Sequence, residues 1–198
     1  LYHLEDGCWS ETIMQAAQVD PRQLADVYPS TQIIGGVRRD VASEVGLPVG
    51  TPVVMGGGDG SCAAVGAGVV ATGSAYTYLG SSAWIAIASE KPIYDPEERT
   101  FTFAHVIPDT YMPIGTMQSA GSSYQWIRNE LCTAEVTSAG ETGARAYRLM
   151  DELAAEVGPG AGGLIYLPYL IGERSPRWNP DARGAFIGLT MRHTRAHM

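Results

Sequence analysis

The sequence predicts an α/β fold, and three observations carry that reading. An apolar run at residues 51–55 passes into three glycines and then into a stretch of small residues with helical character. Four β-prone runs follow Gly73, each separated from the next by glycine, proline or aspartate. Beyond them, residues 123–131 and 143–157 carry the spacing of amphipathic helices.

Taken in order, residues 37–45 alternate apolar and charged positions at helical spacing. Gly46-Leu47-Pro48 then supplies a C-terminal glycine followed by a proline, so a helix is expected to stop there. Thr51-Pro52-Val53-Val54-Met55 reads as a short buried strand, Gly56-Gly57-Gly58 breaks it, and residues 61–69 read as helix. The runs 75–79, 84–88, 100–106 and 111–116 read as a β-meander, which the later helices are expected to cover. The helix at 143–157 sets Ala146, Leu149, Met150 and Leu153 on one face. Gly158-Pro159-Gly160 is a loop and Leu164-Ile165-Tyr166-Leu167 a buried strand. Residues 172–184 are irregular, and Thr194 is placed to cap a helix. The change in hydrophobic pattern sets a domain boundary near residue 70, dividing 1–70 from 71–198.

Composition narrows the function classes. Of 198 residues, 45% are hydrophobic and 17% charged, enough apolar surface for a core, and no apolar run approaches the roughly 18 residues of a membrane span. A formal charge of −8 with scattered arginines argues against nucleic-acid binding. Cys8, Cys62 and Cys132 are odd in number and lack CxxC spacing, so neither a disulfide framework nor a zinc site is indicated and a cytoplasmic setting fits. The first residues show no secretory signal, and both chain ends read as cut.

Three groups of residues stand out for chemistry. In Gly56-Gly57-Gly58-Asp59-Gly60 a strand delivers a carboxylate into a turn without side chains to block a ligand. Asp59 there suits either a general base or an N-capping residue, and both readings stand. Leu79-Gly80-Ser81-Ser82-Ala83-Trp84 resembles a hairpin tip, either an anion-binding nest or a simple β-turn. Arg174, Arg177 and Arg183 suit a phosphate clamp or the satisfaction of their own loop's carbonyls. Gly66-Ala67-Gly68-Val69-Val70-Ala71 matches GxGxxA but ends a helix, and no P-loop or GxSxG elbow occurs. His193 and His197 have i,i+4 spacing without an acidic partner between them, which favours surface histidines over a metal pair, and no metal ligand is singled out.

The order of these segments resembles the FGGY carbohydrate kinases. The resemblance is carried by residues 50–59 (GTPVVMGGGD), Tyr78-Leu79-Gly80-Ser81-Ser82, residues 119–126 (SAGSSYQW), residues 167–178 (LPYLIGERSPRW) and Gly184-Ala185-Phe186-Ile187-Gly188-Leu189. Its overall character is nearest to xylulokinase-like members. The resemblance implies two actin-like (ribonuclease H-like) domains, here the end of the first and the beginning of the second, that transfer the γ-phosphoryl group of ATP to a sugar hydroxyl with Mg2+. Asp59 matches the catalytic base. Gly80, Ser81 and Ser82 match a phosphate loop, with Ser81 where the family usually has threonine. Gly121 and Gln125 match positions near the nucleotide. Trp84 is placed either on the sugar side or in the core, and Gly60 stands where the family often has Asn or Gln.

The family's opening Asp-x-Gly-Thr hairpin and its late Gly-Gly-Gly-Ala segment lie outside the matched segments, so this chain is expected to be an internal piece, inactive alone. The resemblance leaves a homodimer of the full-length protein open. A non-catalytic sugar- or nucleotide-binding relative, an unrelated α/β domain, and kinases of glycerol, gluconate, ribulose or rhamnulose are the competing readings.

Overall fold

The computed structural model describes residues 1–198 and bears out the α/β class. The chain divides into two compact units. One holds residues 1–76, 85–95 and 100–114, and the other residues 77–84, 96–99 and 115–198.

In the first unit, β1 (Tyr2–His3) and β2 (Cys8–Trp9) pair antiparallel. Helix α1 (Glu11–Ala16) follows because Ser10 caps it, its side chain accepting from the Ile13 N–H. A single 3-10 turn at Pro21–Gln23 carries a capping box between Asp20 and Gln23. Strand β3 (Ile33–Gly36) pairs antiparallel with β4 (Pro52–Val54), and α2 (Arg39–Val45) lies between them in sequence, closed by Gly46 as its pattern predicts. The strand read as buried is instead exposed along its length. It belongs to a two-stranded sheet, and Val53 and Val54 keep 41% and 51% of their surface. Helix α3 (Asp59–Gly66) begins two residues before the helix expected there and ends three earlier. It anchors through fully buried Ala64, with Val69 buried just beyond.

Four further strands are β5 (Ala75–Leu79), β6 (Ala83–Ile87), β7 (Phe101–Ala104) and β8 (Tyr111–Met117), in the order β5-β6-β8-β7. The expected meander would keep β7 inside and β8 at the edge. The chain reverses them because β8 holds consecutive buried residues, Met112, Pro113 and Ile114, and so takes the inner position, with the less buried β7 outside it. Buried His105 follows β7. Its Nδ1 accepts from the Ile107 N–H at 3.0 Å, so the ring proton sits on Nε2 and is donated to the Val69 carbonyl at 3.1 Å.

In the second unit, α4 (Gly121–Glu130), α5 (Thr133–Thr142) and α6 (Ala146–Ala154) pack on one another around Ile127, Cys132 and Met150, with Leu131 and Tyr147 against them. Helix α5 lies in a stretch rich in weak helix formers. The Thr137 and Thr142 hydroxyls bond back to the Thr133 and Ser138 carbonyls, so local propensity disfavours what packing holds. Because α5 occupies that stretch and ends at Gly143, the helix read over 143–157 is confined to α6. Strands β9 (Ile165–Leu167) and β10 (Ala185–Ile187) pair antiparallel, with Tyr166 and Phe186 stacked at 4.7 Å. β9 is only partly buried, since Ile165 is exposed. Residues 172–184 between them are irregular, as expected. Thr194 opens one 3-10 turn, Arg195–His197. No helix is long and apolar enough to cross a membrane.

Candidate active site

Asp59 stands where β4 has delivered the chain through Gly56, Gly57 and Gly58 to the start of α3. The turn needs glycine at 56, which sits at φ 76°, and it is tight at 57, where a Cβ would lie 2.4 Å from Val106 Cγ1. Gly58 is the N-cap and Asp59 the first helical residue, so the capping reading of Asp59 is overturned. Its Oδ1 accepts only from the adjacent Gly60 N–H at 2.8 Å, and its side chain is exposed with the second oxygen unpaired. The helix N-terminus favours negative charge at this position. The first turn is fastened around it. Ser61 Oγ donates to the Ala104 carbonyl at 3.0 Å, Tyr76 Oη donates to the Gly60 carbonyl at 3.2 Å, and Cys62 Sγ lies 3.4 Å from the Gly57 carbonyl. Beside Asp59, a Cβ on Gly60 would meet nothing within 4 Å, so the space there is open. A carboxylate held rigidly at its backbone and free at one oxygen can accept a proton from a hydroxyl brought against it.

The second cluster joins the β5–β6 hairpin to the start of α4. The Gly121 N–H donates to the Gly80 carbonyl at 2.8 Å, and the Ala120 and Ser122 N–H groups donate to the Ser81 carbonyl at 2.9 and 3.1 Å. Ser122 Oγ adds a bond to the same carbonyl at 2.8 Å. Ser122 is tied in turn through Ser119 Oγ to buried Ser123 Oγ, a chain of three hydroxyls under the helix start. These bonds satisfy helix N–H groups that would otherwise lack partners. They also fix the tip so that the N–H groups and hydroxyls of Ser81 and Ser82 have no partner in the chain. Four unpaired donors at one tip suit an anion.

Trp84 stacks face to face on Tyr78 across the hairpin, at 3.8 Å and 14°. It is half-buried, so it serves as the aromatic base of the hairpin more than as a core residue. Gln125 is exposed one turn after Gly121, and its amide makes no bond within the chain. The structure therefore brings together Gly80, Ser81, Ser82, Gly121 and Trp84, with Gln125 on the same helix, while Asp59 and Gly60 sit in the first unit. Arg183 Nη1 donates to the Pro180 and Ala182 carbonyls, the self-satisfying role, and Arg174 lies over the Trp178 ring at 5.6 Å. His193 and His197 each accept a backbone N–H on Nδ1, from Thr190 and Thr194, so they act as turn caps. No group of three His, Cys, Asp or Glu side chains placed to hold a metal ion occurs. Sequence pattern does not reveal the Tyr76 and Ser61 contacts or the bond from Ser122 to the Ser81 carbonyl, because each depends on a partner distant in sequence.

Comparison with known proteins settles the family. The model for the FGGY family of carbohydrate kinases, N-terminal domain, matches residues 1–66, and that for the C-terminal domain matches residues 75–198. The chain belongs to the FGGY family of carbohydrate kinases. Among FGGY relatives, the gluconokinase of Bacillus subtilis is 35% identical over 96% of this chain and 37% of its own length. The xylulose kinase of Escherichia coli is 34% identical over 93% of this chain and 36% of its length. The crystal structure of xylulose kinase from Rhodospirillum rubrum matches with a TM-score of 0.78 and 34% identity over 98% of this chain and 37% of that one. The FGGY fold, actin-like in class, is therefore the fold of this chain, which spans less than two fifths of the length of these relatives.

Proposed function

We propose that the protein carrying this chain transfers the γ-phosphoryl group of ATP to a hydroxyl of a sugar or polyol, with Asp59 as general base. The observation that carries the reading is the setting of Asp59: first residue of α3, exposed, one carboxylate oxygen unpaired, behind a turn that only glycine fits. In the step, the hydroxyl proton passes to Asp59 as the hydroxyl oxygen bonds to the γ-phosphorus. The bond from that phosphorus to the β–γ bridging oxygen breaks, and ADP departs.

The unpaired N–H and hydroxyl donors of Ser81 and Ser82 fit phosphate oxygens, with Gly121 holding the hairpin in place and Gln125 offering an exposed amide nearby. Mg2+ brought in with the nucleotide would supply charge neutralisation on the phosphates. Trp84 and the open space at Gly60 are proposed to face the sugar. The family matches stop at 66 and resume at 75, which supports a domain junction near 70. Three unpaired cysteines, one of them buried, support a reducing cytoplasm.

A five-carbon ketose is the first substrate proposed, since xylulose kinases recur among the relatives and the structural neighbours. A sugar acid is the second reading, favoured by the identity to a gluconokinase. The test is ATP consumption by the full-length protein across ketoses, polyols and aldonates. A single preferred sugar turned over at about 1–100 per second supports the kinase and names its substrate, and ATP consumption with no sugar dependence contradicts it.

A further inference from the structure

Glu173 is buried to 7% exposure at the head of the irregular loop, yet no Lys, Arg or His pairs with it. Arg174 next to it turns to Trp178 instead. The carboxylate Oε1 accepts two backbone N–H groups, from Gln118 at 3.0 Å and from Arg174 at 2.7 Å. The loop is closed on itself by the Glu173–Asn179 backbone pair at 3.0 and 2.9 Å. Gln118 is the residue directly after β8. The next N–H groups along that turn, of Ala120, Gly121 and Ser122, are the ones that grip the Gly80 and Ser81 carbonyls. Ala120 itself has φ −103° and ψ −89°, outside helix and strand, and offers no capping side chain. Local propensity therefore does not set this turn. It is set from two sides, by the Glu173 carboxylate and by the hairpin.

We propose that Glu173 is a positioning residue for nucleotide binding: through Gln118 it fixes the β8–α4 turn, and through that turn the Gly80–Ser82 hairpin. The proposal rests on the hairpin's reading as the phosphate loop. Burying a carboxylate without a cation is unfavourable unless its hydrogen bonds are kept, and here both bonds hold backbone in place.

The test uses the full-length protein with Glu173→Ala and Glu173→Gln, reading hydrogen exchange over residues 78–84 and 118–124 and the KM for ATP and for the sugar separately. Glu173→Ala leaves two part-buried N–H groups without their acceptor, so exchange in both segments and the ATP KM rise about 30-fold, with the sugar KM unchanged. Glu173→Gln keeps a neutral acceptor and gives about a fivefold rise in the same readouts, and it carries the test if the alanine variant does not fold. Unchanged exchange and ATP KM in Glu173→Gln, or equal rises in both KM values with exchange raised throughout the protein, overturn the proposal. If no sugar-dependent turnover exists, the kinase reading fails and exchange alone decides whether Glu173 holds the hairpin.

Discussion

The N–H of Gly121 donates to the carbonyl of Gly80 at 2.8 Å, and a Cβ on Gly121 would stand 2.5 Å from that same oxygen. Only glycine lets the start of α4 meet the hairpin this closely. Gly121→Ala is therefore expected to push the hairpin off the helix and raise the ATP KM by about tenfold or more, leaving the sugar KM in place. Steady-state kinetics with each substrate varied in turn checks this, and an unchanged ATP KM counts against the hairpin as a phosphate loop.

His105 carries the next prediction. It is buried and joins the Ile107 N–H to the Val69 carbonyl, tying the end of β7 to the segment after α3. His105→Ala removes both bonds and leaves a gap, which should cost about 2–4 kcal/mol of stability. Urea unfolding monitored by tryptophan fluorescence measures it, and a loss under about 0.5 kcal/mol, ordinary for a surface change, contradicts the role.

The Tyr124 phenol is pushed up to about 12, by desolvation first and then by its hydrogen bond to Asp151 Oδ1 at 2.7 Å. A phenol whose pKa is raised on folding is favoured in its neutral form. Its stabilising effect is full below the ordinary value of 10.0 and is lost as pH rises from there through about 12. Tyr124 is 40% exposed, so solvent moderates the size of the effect and the prediction is one of direction. Thermal melts of the parent and Tyr124→Phe should converge as pH climbs through that window. Parallel curves across it would remove the Asp151 bond as the source.

How much of this was legible in the sequence follows from how local each cause is. The Gly46 helix stop, the glycine turn before Asp59 and the Gly80–Ser82 hairpin depend on neighbouring residues, and all were readable. The start of α3 lies two residues before the helix that the small-residue run predicts, because the glycine turn passes straight into helix with Gly58 as N-cap, a choice decided by the path of the turn. The inner place of β8 depends on which strand buries both faces, and α5 depends on packing against α4 and α6 that its own residues do not announce. The bond from Ser122 to Ser81 spans 41 residues, and no periodicity marks it. Gly121 and Ser81 were readable as candidates from family order alone. Why position 121 must be glycine was not.

The central claim is that Asp59 takes the proton of the attacking hydroxyl, and the most direct test is sugar-dependent ATP turnover by the full-length protein and its Asp59→Asn variant. Asp59 is exposed and bonds only to the adjacent Gly60 N–H, so the substitution should leave the melting temperature almost unchanged. Turnover is predicted to fall by about 10²–10⁴-fold, with both KM values nearly constant. A variant that folds and turns over sugar at the parent rate would contradict Asp59 as the base.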